Sequence, residues 1–312
     1  MKKIMTMLSA AVLAASALTG CSQQGTRLSI ATGGTTGVYY VYGGGYAKLI
    51  TSNLDGVEAT ASATSASVDN IKLVTSGRAD VAFTLADTAA DAVQGRESFP
   101  SPQPVRALAR IYDNYTQLAA TGGSGIEKVA DLRGKRVSIG APNSGTLVIA
   151  RRMLAAAGID PASGIRAQQL GINESVQAMK DGTIDAFFWS GGVPTAGITD
   201  LTSTKRDVVL VDTTDLLPAL RQRYGDVYRE ITIAGSAYGL RGDVKTVGVP
   251  NYLLVSDKMS DDLAYDLTKL LFDRKNDLVR VHPEAKNLDK GVARQVTPVQ
   301  LHPGAQRYLS GG

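Results

Sequence analysis

The sequence predicts an α/β fold of two lobes, and three observations carry that expectation. Strand and helix signals alternate from about residue 27 to about residue 272, the grammar of α/β architecture. The 312 residues exceed a single compact domain of about 100 to 200 residues. A helix that stops at glycine and is followed by an aspartate opening a strand occurs in each half, as Gly77-x-x-Asp80 and Gly182-x-x-Asp185. Lobe one is expected over residues 27–115 and 240–312, and lobe two over residues 116–239.

The first element is not part of either lobe. Lys2 and Lys3 precede an apolar or small-residue run from Ile4 to Leu18 that is too short to span a bilayer. This predicts an export signal over residues 1–20, and Leu18-Thr19-Gly20-Cys21 resembles the lipobox of bacterial lipoprotein precursors. The resemblance implies acylation at Cys21, membrane attachment by that lipid on the extracytoplasmic side, and a short polar tether over residues 21–26. With its one cysteine so used, the chain has no thiol left for a disulfide or a thiolate metal site.

Arg27 to Ala31 reads as the first strand, and Gly33-Gly34-Thr35-Thr36-Gly37 joins it to a helix. Backbone N–H groups at such a helix start can face an anion, so Thr35, Thr36 and Gly37 form a first candidate cradle. Tyr39 or Tyr40 points a phenol at the same cleft or packs in a core. Gly43-Gly44-Gly45 weakens the helix by about 1 kcal/mol per residue relative to alanine, which predicts a close backbone approach there.

Ser65 or Ser67 caps a helix carrying Val68, Ile71 and Val74, and with Asn70 these serines are candidates to reach a ligand. Val81, Phe83 and Leu85 alternate as a strand. Asp87 follows, either capping the next helix or pairing with the ammonium of an amino acid. Val105 to Ala120 is expected to cross between the lobes, and the return crossing is expected near Ile231 to Val249.

The second cradle lies in Gly140-Ala141-Pro142-Asn143-Ser144-Gly145-Thr146, between the strand Arg136 to Ile139 and a helix bearing Leu147, Ala150, Leu154 and Ala157. Its glycines have phosphate-loop spacing, but Thr146 stands where that motif needs lysine, which argues against nucleotide hydrolysis. What remains is a carboxylate cradle of N–H groups with Asn143, Ser144, Gly145 and Thr146, Ser144 capping the helix. Cradles in opposite halves can meet across one small ligand.

Phe187 and Phe188 open a strand in which neighbours face opposite ways. Trp189 at its end is either a lid over the ligand or core, and Gly191 and Pro194 sit beside it. Ser260 caps a late helix with Asp261 and Asp262 in its first turn and a core stripe of Leu263, Leu267, Leu270 and Leu271. From Asp273 the chain is polar and proline-punctuated and is expected to lie over the surface.

Charge excludes some functions. The formal charge of +4 comes from 33 basic and 29 acidic residues without a basic stripe, so nucleic acid is not an expected partner. His282 and His302 both precede proline in the late segment and read as surface turn residues, not general bases. No G-x-S-x-G elbow or EF-hand spacing occurs, so a binding protein without catalytic residues, metal or cofactor is expected. An enzyme using an unrecognised carboxylate or tyrosine is the rival of another class.

Several short segments together resemble the TAXI family of solute-binding subunits of TRAP transporters. They are Ala31-Thr32-Gly33-Gly34-Thr35, Val38-Tyr39-Tyr40, Ser67-Val68-Asp69-Asn70, Ser76-Gly77-Arg78-Ala79-Asp80, Asp131 to Val137, Asn143-Ser144-Gly145-Thr146, and Phe187-Phe188 with Gly192 and Pro194. The resemblance implies a periplasmic-binding-protein-like type II fold with a hinge and a ligand cleft. It also implies a small carboxylate ligand such as glutamate, glutamine or 2-oxoglutarate, and a sodium-coupled TRAP membrane subunit as partner. Thr36, Val41 and Leu85 depart from the family's usual glycine, proline and glutamine. Arg78, Arg110 and Arg136 are left as supporting cations, and a sensory protein docking on a signalling receptor is the alternative to a transporter subunit.

Overall fold

The computed structural model describes residues 25–204 and 207–311. The export signal, Cys21 and most of the tether lie outside the described residues. The first half contains β1 (Thr26–Ala31), α1 (Val38–Asn53), β2 (Val57–Ser62), α2 (Ser67–Thr75), β3 (Val81–Leu85) and α3 (Ala86–Gln94). The long β4 (Val105–Thr121) leads to β5 (Arg136–Ser138), α4 (Gly145–Ala156), β6 (Arg166–Gln168), α5 (Ile172–Lys180) and β7 (Ala186–Gly191). Next come α6 (Ala196–Ser203), β8 (Val208–Val211), α7 (Leu217–Tyr224), β9 (Arg229–Ile233) and β10 (Val244–Ser256). Helices α8 (Asp261–Asp273), α9 (Lys275–Val281), α10 (Lys290–Ala293) and α11 (Pro303–Leu309) close the chain. Among the described residues no helix is long and apolar enough to cross a membrane.

The strands are ordered β2-β1-β3-β10-β4-β7-β5-β6, with β8 added to β4 and β9 to β10. Two lobes arise because β4 and β10 are long enough to serve both. The residues Asn251 to Val255 of β10 pair with β3, while Val244 to Gly248 pair with β9. On β4, Val105 to Tyr115 pair with β10, and Tyr115 to Ala120 pair with β7. The first lobe thus holds β1 to β3 and the second holds β5 to β9, joined by two antiparallel crossing strands. The return crossing is β10, with β9 folded back on it as a hairpin.

The repeated glycine-aspartate spacing has the same structural meaning in both lobes. Gly77 and Gly182 stop α2 and α5 in the left-handed region, with φ of 71° and 70°. Three residues on, the Asp80 carboxylate accepts from the Ser29 N–H at 2.7 Å, and Asp185 accepts from the Arg136 N–H at 2.8 Å. Each aspartate therefore ties the start of its strand to the neighbouring parallel strand.

The glycines of α1 are explained by close packing. A Cβ on Gly43 would lie 2.5 Å from Thr32, and one on Gly45 would lie 2.8 Å from Val281. On β7 the alternation separates the two phenylalanines: Phe188 joins the core shared by α2, α3 and α4, and Phe187 joins the core under α5 and α6. The α8 stripe packs in the first lobe with Tyr42, Tyr46 and Phe83, with Leu263 only at its edge.

The late segment departs from expectation. Leu278, Ala285, Leu288, Ala293 and Ala305 are buried in the first-lobe core, so α9 to α11 are packed helices and not a surface strap. His282 and His302 are correspondingly buried, at 9% and 1% exposure. Each caps the proline-started turn that follows, His282 Nδ1 accepting from the Glu284 N–H and His302 Nδ1 from the Gly304 N–H. The dipeptide His-Pro reads as a turn in sequence, and here it is a cap inside the core.

Candidate functional site

Four helices begin at one cavity between the lobes. Gly37 precedes α1, Ala66 precedes α2, Ser144 precedes α4 and Gly171 precedes α5, and all four residues line the cavity, whose volume is about 80 Å³. The first N–H groups of a helix have no partner inside it, and its N-terminus carries about half a positive charge. Only α4 has a side-chain cap, Ser144 Oγ accepting from the Leu147 N–H at 3.0 Å. The starts of α1, α2 and α5 have no side-chain cap bond.

The remaining wall combines apolar and aromatic side chains, Val38, Tyr39, Leu85, Tyr112, Ile172 and Trp189, with the neutral polar ones of Thr64, Ser65, Ser67, Asn114, Thr146 and Ser190. No lining residue carries a formal charge. Beneath the wall runs a buried polar chain. The Tyr39 hydroxyl donates to Asn251, Asn251 Nδ2 donates to Asn114 Oδ1 at 2.8 Å, and Thr146 Oγ1 accepts from the Ser190 N–H at 3.2 Å. Burial holds the Tyr39 hydroxyl well above the usual phenol range, so it stays a neutral donor.

The lobes touch around this cavity. The Asp69 N–H donates to the Asn143 carbonyl at 3.2 Å, and Thr36 Oγ1 donates to Asn173. A Cβ on Gly145 would come within 2.5 Å of Ser67 Oγ and 2.6 Å of Leu85. Only glycine at this position lets α4 approach α2 so closely. Ala66, just before α2, and Asn143, two residues before α4, both have positive φ, 75° and 60°. Strain of that kind costs about 1 to 3 kcal/mol and persists only where surrounding contacts demand it.

Of the residues expected at the site, Gly37, Tyr39, Ser65, Ser67, Ser144, Gly145, Thr146, Trp189 and Gly191 line the cavity. The helix after residue 65 is not capped by serine. Ala66 holds the cap position, and Ser67 Oγ instead accepts from the Leu85 N–H at 3.1 Å. Trp189 fastens its ring by donating from Nε1 to Thr195 Oγ1 at 3.0 Å.

Thr35, Thr36, Asn70, Asp87, Asn143 and Pro194 do not line it. Thr36 and Pro194 border a separate surface groove with Val41 and His282. Asn70 is wholly buried, its Nδ2 donating to the carbonyls of Thr32 and Phe83, so it ties β1 to β3. Asn143 contributes its backbone carbonyl to the Asp69 contact.

Asp87 neither caps α3 nor reaches the cavity. Leu85 is the cap residue, and the carboxylate accepts from the Thr88 N–H at 2.6 Å and from the Tyr228 hydroxyl at 2.9 Å, with Arg152 at 3.7 Å. The three arginines left as supporting cations are occupied as well: Arg110 pairs with Asp113, Arg136 with Asp185, and exposed Arg78 bonds Ser76. No group of His, Cys, Asp or Glu among the described residues could hold a metal ion.

Sequence reading missed Gly171, Tyr112, Asn114 and Ser190. Gly171 had a readable signal, since it stands before the helix carrying Val176 and Met179 as Gly37 stands before α1. Tyr112 and Asn114 are alternate residues of the crossing strand and needed the lobes assembled to be seen.

Comparison with known proteins agrees with this architecture. The structure aligns with the periplasmic aliphatic sulphonate binding protein SsuA from Escherichia coli at a TM-score of 0.51 and 13% identity, covering 91% of this chain and 83% of that one. A binding protein component of an ABC phosphonate transporter from Pseudomonas aeruginosa aligns at 0.57 and 13% identity, covering 85% and 80%. An ancestral arginine-binding protein bound to arginine aligns at 0.53 and 14% identity, covering 84% and 98%. The fold is that of the type II periplasmic binding proteins. The sequence profile of the NMT1-like family matches residues 30–310, and the chain belongs to that family.

Proposed function

We propose that this protein is an extracytoplasmic solute receptor that captures a small carboxylate between its lobes and presents it to a membrane transporter. The observation that carries the reading is the convergence of four helix N-termini, those of α1, α2, α4 and α5, on one enclosed cavity without charged side chains. Uncapped N–H groups stabilise a carboxylate without a cationic residue. The transport proteins named among the structural neighbours lend support by analogy of fold.

In the finer form of this reading, the partner is the membrane subunit of a TRAP transporter of the TAXI type, and the chain is anchored by a lipid on Cys21. The resemblance offers glutamate, glutamine, 2-oxoglutarate and related carboxylates as candidate ligands, and the protein performs no chemistry on the one it binds. Closure hinges on β4 and β10, dividing residues 27–115 and 240–312 from residues 116–239. The ligand contacts come from Gly37, Tyr39, Ser65, Ser67, Ser144, Gly145, Thr146, Trp189 and Gly191.

The test is thermal unfolding of the full chain against a panel of amino acids, dicarboxylates and 2-oxo acids. A ligand held at about 100 times its Kd adds about 2.7 kcal/mol to stability, a rise of several degrees. A panel-wide lack of stabilisation, with no co-purified small molecule in native mass spectrometry, refutes the carboxylate reading.

A further inference from the structure

No acidic side chain lines the cavity; Glu174, in the first turn of α5 beside Gly171, is exposed, and three other carboxylates near it are committed elsewhere. Asp87 is held by Thr88 and Tyr228, and Asp69 accepts from the Ser65 N–H at 3.3 Å. Glu284 accepts from the Val193 N–H at 2.7 Å and from Asn287 Nδ2 at 2.7 Å. None of these carboxylates lines the cavity. What the wall offers from the starts of α1, α2, α4 and α5 is N–H donors at positive helix ends, beside the neutral hydroxyls of Ser65, Ser67, Ser144 and Thr146 and without a carboxylate. Tyr112, also in the wall, is 2% exposed and has a buried hydroxyl without a hydrogen-bond partner among the described residues.

Such a wall discriminates between functional groups. A carboxylate or an oxo oxygen accepts hydrogen bonds and meets donors. An ammonium group only donates, carries a full charge, and meets helix ends of its own sign with no carboxylate to offset its lost hydration. Resting on the carboxylate reading above, we propose that the cavity takes small carboxylates bearing no ammonium group, with 2-oxo acids as the best-matched class, and rejects the amino acids of the same carbon skeleton.

Isothermal calorimetry on the full chain tests this with matched pairs: pyruvate and alanine, 2-oxoisocaproate and leucine, 2-oxoglutarate and glutamate. In the pair whose skeleton fits, the oxo acid is expected to bind at least about 100-fold more tightly than the amino acid. Ser65→Asp puts a carboxylate on the wall and is expected to narrow that ratio by about tenfold or more; an unchanged ratio overturns the electrostatic explanation. An amino acid that binds as tightly as its oxo acid overturns the exclusion of ammonium while leaving the carboxylate reading standing. Silence across all pairs overturns the carboxylate reading, and this inference with it.

Discussion

Arg152 joins the lobes through a buried ion pair, and replacing it with methionine isolates what that pair contributes. Its guanidinium comes from α4, is 5% exposed as a residue, and reaches Asp91 Oδ2 of α3 at 2.5 Å. It also donates to the Tyr228 hydroxyl at 3.0 Å and lies 4.2 Å from the centre of the Tyr224 ring. Asp87 and Asp91 are 1% and 7% exposed, so without the cation both charges are buried uncompensated. Removing one partner of such a pair costs about 3 to 5 kcal/mol. Because α3 and α4 belong to different lobes and α4 begins at the cavity, the loss should appear in ligand affinity as well as in urea unfolding. Burial already lifts the Asp91 carboxyl above its ordinary range while Arg152 pulls it back. In Arg152→Met the carboxyl rises further. For an acid whose folded pKa is raised, stability is lost as pH climbs above the unfolded value of about 3.9 and recovered on acidification. Urea unfolding at pH 7 and pH 4.5 measures both effects, with the triple variant Arg152→Met, Asp87→Asn, Asp91→Asn as control. The triple variant should regain most of the loss, since it buries no uncompensated charge. A loss below about 1 kcal/mol in the single variant, or an equal loss in the triple, refutes the argument.

Two further predictions concern buried polar groups away from that pair. Burial pushes Glu284 up to about 7 from its ordinary 4.5, so ionisation opposes folding and stability should fall between those two pH values and level off above them. Glu284→Gln should abolish that slope and leave the protein up to about 3 kcal/mol more stable at pH 8, read from urea midpoints across pH; an unchanged slope refutes the assignment. The Tyr42 hydroxyl is buried without a hydrogen-bond partner among the described residues, and its ring packs against Phe83 and Tyr112. Tyr42→Phe should therefore raise stability by about 1 kcal/mol, and a loss of that size in thermal unfolding would show that the hydroxyl is satisfied.

The sequence by itself determined the local grammar. Gly77 and Gly182 stop helices because only glycine adopts positive φ cheaply, and Asp80 and Asp185 tie the following strands because the spacing leaves their carboxylates beside the adjoining strand. It also marked the two loops, at residues 33–37 and 140–146, where strands hand over to helices. Such features depend on neighbours a few residues away. Tertiary structure decided everything that depends on partners far along the chain. Asp87 has a chain position suited to the cleft, but the lobe-crossing Arg152 and Tyr228 claim it. The late segment is polar in composition, yet its few apolar residues, with His282 and His302 as caps, fill the first-lobe core. The start of α5 and alternate residues of β4 complete the cavity only once both lobes are docked. The direction of a side chain follows local backbone, but its partner follows the path of the whole chain, and a cavity between two lobes is made of partners.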